Sequence, residues 1–132
     1  MIKTIKIKTN TRTEFVDITS DVKQLVADSS TKSGICYVYV PHTTAAVTIN
    51  EGADPAVVRD MVMTLNEHYP QRSDYHHEEG NSDAHIKTSL VGSSETIIIE
   101  NSKLQLGTWQ SIYFCEFDGP RSRSVYVKIV EG

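Results

Sequence analysis

The run Ser111-Ile112-Tyr113-Phe114-Cys115-Glu116-Phe117-Asp118 limits what this chain can fold into more than any other stretch. At the two-residue period of a strand, Ile112, Phe114, Glu116 and Asp118 share one face, and Tyr113, Cys115 and Phe117 share the other. Both faces are apolar until two carboxylates end one of them, so the strand needs packing on each side. The segments around it are also β. Glu95 to Glu100 holds three consecutive isoleucines, Asn101-Ser102 makes a turn, and Lys103-Leu104-Gln105-Leu106 returns. Gly119-Pro120 then turns the chain into a last strand, Arg121 to Val130.

The first half mixes strands with helices. Ile2 to Thr9 alternates β-branched and polar residues, which suits a strand with one face in water, and Glu14 to Thr19 follows as its expected hairpin partner. Ser20 stands at an expected N-cap, before a short helix through Val22, Leu25 and Val26 that ends near Ser29. Gly34 to Val40 carries aromatic and β-branched residues on both faces, the pattern of a central strand. A second strand is expected from His42 to Glu51. Asp54-Pro55 is a strong helix start, and Val58, Met61, Val62, Leu65 and Tyr69 repeat at helical spacing, predicting an amphipathic helix with its methionines in the core. The fold class expected is α+β: one domain over residues 1–132, antiparallel β-sheets packed with two or three helices.

Chemistry concentrates between residues 75 and 85. Tyr75-His76-His77-Glu78-Glu79-Gly80-Asn81-Ser82-Asp83-Ala84-His85 places three of the five histidines and three carboxylates in a polar, turn-forming stretch. Imidazole and carboxylate bind first-row metals and move protons near neutral pH. Three imidazoles with an open fourth position would make a catalytic type of metal site, and His77, His85 and His42 form the best trio, with His76 an alternative to His77. The divalent metal expected is zinc or magnesium. A short helix ending at Gly92 and capped at Asn81 or Asp83 would aim its free N–H groups at the cluster, as an anion seat. Glu116, Asp118, Arg121 and Arg123 form a second constellation. Two guanidiniums alternating on a strand can clamp a phosphate, held in place by the carboxylates, or they can simply be cross-turn salt bridges.

Composition narrows the function classes. A formal charge of −4 argues against nucleic acid as the main partner, which would call for a basic face. No apolar run reaches membrane-spanning length, and Met1-Ile2-Lys3-Thr4-Ile5-Lys6 alternates where a signal peptide would be continuous, so a soluble cytoplasmic protein is expected. Cys36 and Cys115 lie in apolar strand-like runs outside any C-x-x-C pair and are expected to be buried thiols.

The blocks His42-Thr43-Thr44-Ala45-Ala46 through Asn50-Glu51, Asp54-Pro55, Tyr75-x-His77, Ala84-His85, Leu104-x-Leu106-Gly107-Thr108-Trp109-Gln110 and Glu116-Phe117-Asp118-Gly119-Pro120-Arg121-x-Arg123 closely resemble the YjbQ family of secondary thiamine-phosphate synthases. The resemblance runs in order along nearly the whole chain. It implies a homotrimer and an activity that joins a pyrimidine methyl pyrophosphate to a thiazole phosphate with release of pyrophosphate. It further implies that His42, His77 and His85 gather in a metal or anion cleft, with Glu51 and Asp118 as catalytic partners. Lys87, Trp109, Gln110, Arg121 and Arg123 are the expected contacts to a small phosphorylated substrate. The competing readings are a three-histidine metal hydrolase with Glu78 or Glu79 as base, and a trimeric binding module for a phosphorylated metabolite.

Overall fold

A computed structural model describes residues 1–132. Eight strands and three helices follow one another as β1 (Lys3–Lys8), β2 (Glu14–Asp17), α1 (Thr19–Ser29), β3 (Gly34–Tyr39), β4 (Ala45–Glu51), α2 (Pro55–His68), α3 (Ser82–Val91), β5 (Ser94–Glu100), β6 (Lys103–Leu104), β7 (Gln110–Glu116) and β8 (Ser122–Glu131). They form two antiparallel sheets, β1-β8-β3-β5-β6 and β2-β7-β4. No helix is long and apolar enough to cross a membrane.

β7 acts as the alternating pattern requires. Ile112 and Phe114 face the five-stranded sheet, joining Cys36, Val38, Ile97, Ile99, Val125 and Val127, together with Val22 and Val26 of α1, in one core. Tyr113, Cys115 and Phe117 face the other way, into a second cluster with Ala84 of α3, against which Val58 and Leu65 of α2 pack. Burying a side chain such as Phe114 is worth roughly 1.5–3 kcal/mol, so a strand that buries both faces ties the layers together. Cys36 and Cys115 are buried free thiols, and burial pushes Cys36 up to about 11. Both are poor nucleophiles in that state.

Three expectations change. β1 and β2 are not a hairpin. β1 pairs with β8 and β2 with β7, because Ile7 belongs to the inter-sheet core while Phe15 packs on the other side of β7. α1 begins at Thr19, one residue before the expected cap, with Ile18 at the N-cap position. α2 starts as predicted, Asp54 Oδ1 accepting from the Ala56 N–H at 2.9 Å, yet no residue of α2 is buried and Met63 is exposed. The helix lies on the second cluster through a narrow stripe, and its methionines are not core.

The Asn101-Ser102 turn has both residues at positive φ, 52° and 63°. Those values suit the tight hairpin between β5 and β6.

Candidate functional site

Both sheets end at a cleft of about 640 Å³ whose walls are almost entirely polar. Its lining includes Tyr39, His42, Thr43, Thr44, His77, Glu79, Asn81, His85, Asp118, Arg121 and Arg123. Three separate segments, residues 39–44, 77–85 and 118–123, supply these side chains. His42 and Thr44 lie on the link by which the chain leaves β3 in one sheet and enters β4 in the other. Asp118 and Arg121 lie on the reverse crossing from β7 to β8. Gly119 is needed in that crossing, since a Cβ there would sit 2.3 Å from the Thr11 carbonyl oxygen.

The histidine loop closes on itself before α3. The Gly80 N–H donates to the His77 carbonyl at 3.1 Å, and Gly80 takes a φ of 74°, a conformation that favours glycine. α3 then starts at Ser82 with Asn81 at its N-cap position. Asn81 and His85, four apart, share one helix face toward the cleft, and Asp83 and Lys87 share another. His85 is therefore a helix residue, and Asp83 is no cap. The rings of His77 and His85 meet edge to face, with centroids 5.5 Å apart.

Two charge networks hold the walls. The buried Glu116 carboxylate accepts from Thr9 Oγ1 (2.8 Å), the Asp118 N–H (3.0 Å), and Nε (2.9 Å) and Nη2 of Arg123. Arg123 Nη2 also donates to Thr44 Oγ1 at 2.8 Å, so the pair clips β8 to the start of β4. Burial alone would raise the Glu116 carboxyl. The Arg123 hydrogen bonds, with those of Asp118 and Thr9, more than reverse this and hold it below its usual range. Asp118 Oδ2 is shared by Arg121 Nη2 and Asn81 Nδ2, each at 2.8 Å, which fixes the Arg121 fork at the rim.

His42 is held by the backbone, its Nε2 accepting from the Ser124 N–H at 3.0 Å. Burial, and then the charge of Arg123, lower its pKa. The three histidines thus share a cleft. No group of three or more His, Cys, Asp or Glu side chains is placed to hold a metal ion. His77 and His85 alone offer fewer than the three protein ligands of a catalytic zinc. Magnesium would need carboxylate oxygens; both of Glu116 are taken by Arg123, Thr9 and the Asp118 N–H, and Oδ2 of Asp118 is taken by Arg121 and Asn81.

Some expected contacts lie elsewhere. Lys87 is on the far side of α3, where it is sealed by Asp83 (3.1 Å) and Asn66 (2.7 Å) beside a second polar cavity that Arg12 also lines. Glu51, Trp109 and Gln110 sit at the opposite end of the three-stranded sheet, six residues along β4 from Ala45, or about 20 Å away. Glu51 pairs with Gln110, and the Trp109 carbonyl accepts from the Gly52 N–H. Trp109 is exposed there, and Tyr75 lies under the Arg72 guanidinium outside the cleft. The aromatic that does border the cleft is Tyr39. Tyr39 and Pro41 are the lining residues that the sequence reading did not single out. Of the two glutamates considered as a base, Glu79 lines the cleft and Glu78 does not.

Comparison with known proteins places these features in a group. The family described as UPF0047 protein YjbQ-like matches over residues 3–132. A UPF0047 protein of Methanocaldococcus jannaschii is 55% identical over 130 residues, covering 98% of this chain and 94% of its own. UPF0047 protein YugU of Bacillus subtilis is 50% identical over 131 residues, covering 98% and 99%. The crystal structure of an uncharacterised conserved protein of the YjbQ/UPF0047 family from Clostridium acetobutylicum superposes with a TM-score of 0.95 at 55% identity, covering 97% of this chain and 99% of that one. A hypothetical protein from Aeropyrum pernix keeps a TM-score of 0.94 at 34% identity, covering 100% and 99%.

Proposed function

We propose, from the premise that this chain belongs to the UPF0047 YjbQ-like family, that the histidine–arginine cleft binds a small phosphorylated molecule and serves a thiamine-phosphate synthase type of transfer. The observation that carries this reading is the convergence of His42, His77, His85, Arg121 and Arg123 on one polar cleft at the start of α3. Guanidinium forks and the positive end of a helix suit an oxygen-rich anion. In the proposed reaction the bond from the pyrimidine methyl carbon to pyrophosphate breaks as the bond to the thiazole forms. The leaving pyrophosphate gathers negative charge, and donors already fixed in position lower the barrier most at that step. Arg121, oriented by Asp118, and Arg123, oriented by Glu116, are such donors.

Arg121→Lys tests the reading. The lysine keeps the charge and loses the planar fork, so affinity for inorganic pyrophosphate in calorimetry should fall about tenfold or more. Product formation from the two phosphorylated substrates should fall with it, and His85→Ala should abolish turnover. Tight binding with no turnover in the parent protein would leave a binding module. Unchanged affinity in Arg121→Lys would return that arginine to the role of a surface ion pair.

Assembly belongs to the same proposal. The outer face of the five-stranded sheet is uncovered and carries aligned rows of large side chains, Ile98-Ile35-Val130 and Tyr39-Tyr126 across paired strands. Tyr37, Tyr39, Ile98 and Val130 are all exposed in the single chain. Such a face commonly marks association, and Tyr39 runs from it into the cleft. A homotrimer built on this face would put each cleft beside a neighbouring subunit. Light scattering at micromolar concentration should give the mass of three chains, and Tyr37→Glu should lower it; a monomeric parent protein would end this part of the proposal.

A further inference from the structure

We propose that His42 enters the cleft as a hydrogen-bond donor through Nδ1–H, its tautomer set by the Ser124 N–H, and that with Nη1 of Arg123 it forms a two-donor seat for an anionic oxygen group. It is not the third arm of a metal site. The proposal rests on reading the cleft as a phosphate site and adds which atoms meet the phosphate.

The argument starts from proton counting. A neutral imidazole carries one proton and one lone pair. The Ser124 amide donates to Nε2 at 3.0 Å, so Nε2 must hold the lone pair and Nδ1 the proton. Turning the ring over would set a carbon before that amide and leave the N–H of a half-buried strand without its acceptor, which costs more than the turn gains. A proton on Nε2 would face the amide proton head-on. The nitrogen that remains for a ligand is therefore a donor, whereas metal ligation needs a lone pair.

Arg123 supplies the second donor by the same kind of accounting. Nε and Nη2 are spent on Glu116 and Thr44, and Nη1 has no protein partner. The side-chain polar atoms that are both sealed and partnerless are Asn81 Oδ1 and Thr88 Oγ1 alone. Neither Nη1 of Arg123 nor Nδ1 of His42 is among them, so neither atom is sealed, and both residues line the cleft. Two donors carried on one backbone clip, at Ser124 and its neighbour Arg123, are fixed before any ligand arrives, which is what a selective anion seat requires.

The test reads the tautomer and the ligand separately. Long-range ¹H–¹⁵N spectra of histidine-labelled protein should show His42 with Nδ1 protonated and Nε2 bare, and added inorganic phosphate should shift Nδ1 and not Nε2. In calorimetry with inorganic phosphate, His42→Gln and His42→Ala should lose about tenfold or more in affinity. His42→Asn, whose amide N–H lies near the Nδ1 position, should recover most of that loss. Titration with zinc chloride should give the same affinity in His42→Ala as in the parent protein. An Nε2-protonated ring with intact phosphate binding, or a loss of zinc affinity of about tenfold or more in His42→Ala, overturns the inference and leaves the phosphate reading standing. No phosphate binding by the parent protein overturns both.

Discussion

Replacing Glu116 with glutamine should destabilise this protein by about 3–5 kcal/mol, the cost of removing one partner from a buried ion pair. Glu116 is fully buried between the sheets, and its two oxygens receive four donors: Thr9, Asp118, and two from Arg123. Glutamine keeps the shape but turns one acceptor into a donor, and it leaves Arg123, itself only 6% exposed, with an uncompensated charge. Urea unfolding should show a lower midpoint with an unchanged slope. Because Arg123 also holds Thr44 and carries the free Nη1, phosphate binding should be lost in the same variant, even at temperatures where it stays folded. Glu116→Leu combined with Arg123→Met should recover much of the stability and none of the binding, since an apolar pair of similar size can replace a buried ion pair. A loss of less than about 1 kcal/mol in Glu116→Gln would mean that the carboxylate is neutral in the folded state.

That network shows why the sequence was readable in some places and silent in others. The two faces of β7 were legible because side-chain direction in a strand follows from counting by two, and Ile112 and Tyr113 do enter different cores. The carboxylates at its end were legible as a pair with the arginines because they flank one turn. Strand partners were not legible for β1. Its polar outer face fits a hairpin with β2 as well as a ladder with β8, and only packing of Ile7 against the far sheet decides. The site showed the same division. A cluster of histidines in a polar loop is visible, and a single His77 among neighbours was named through family resemblance, yet the tautomer of His42 depends on a backbone amide 82 residues away. Spacing carries no record of such a contact. Lys87 was misplaced for a related reason: its partner Asp83 is visible at i−4, but the side of α3 that faces the cleft is set by how Ala84 packs against Ala46 and Cys115.

The ion cluster around Asp83 sets the last prediction, and it is an asymmetric one. Asp83 carries two cations, accepting both Nη atoms of Arg12 at 3.0 Å and Nζ of Lys87 at 3.1 Å. Both Asp83 and Lys87 are 1% exposed, whereas Arg12 reaches solvent. Asp83→Asn removes the only negative charge of the set and leaves a buried ammonium, so it should cost about 3–5 kcal/mol. Lys87→Met leaves Asp83 still paired with Arg12 through two hydrogen bonds and fills the space with an apolar stem, so it should cost about 1 kcal/mol or less. The same network should appear in acid. Burial pushes the Asp83 carboxyl up, but the hydrogen bonds from Arg12 and Lys87 outweigh it and hold the folded-state value below the usual one. A depressed carboxyl contributes stability that is complete above its unfolded value of about 3.9 and disappears as the pH falls through the folded one. Glu116 is shifted in the same direction, so the protein should hold its stability down to about pH 4 and lose it steeply below. In Asp83→Asn the acid limb of the stability curve should be shallower, because one of the two protons taken up on unfolding is gone. Equal losses in Asp83→Asn and Lys87→Met would show that Lys87, and not Arg12, is the partner that Asp83 depends on.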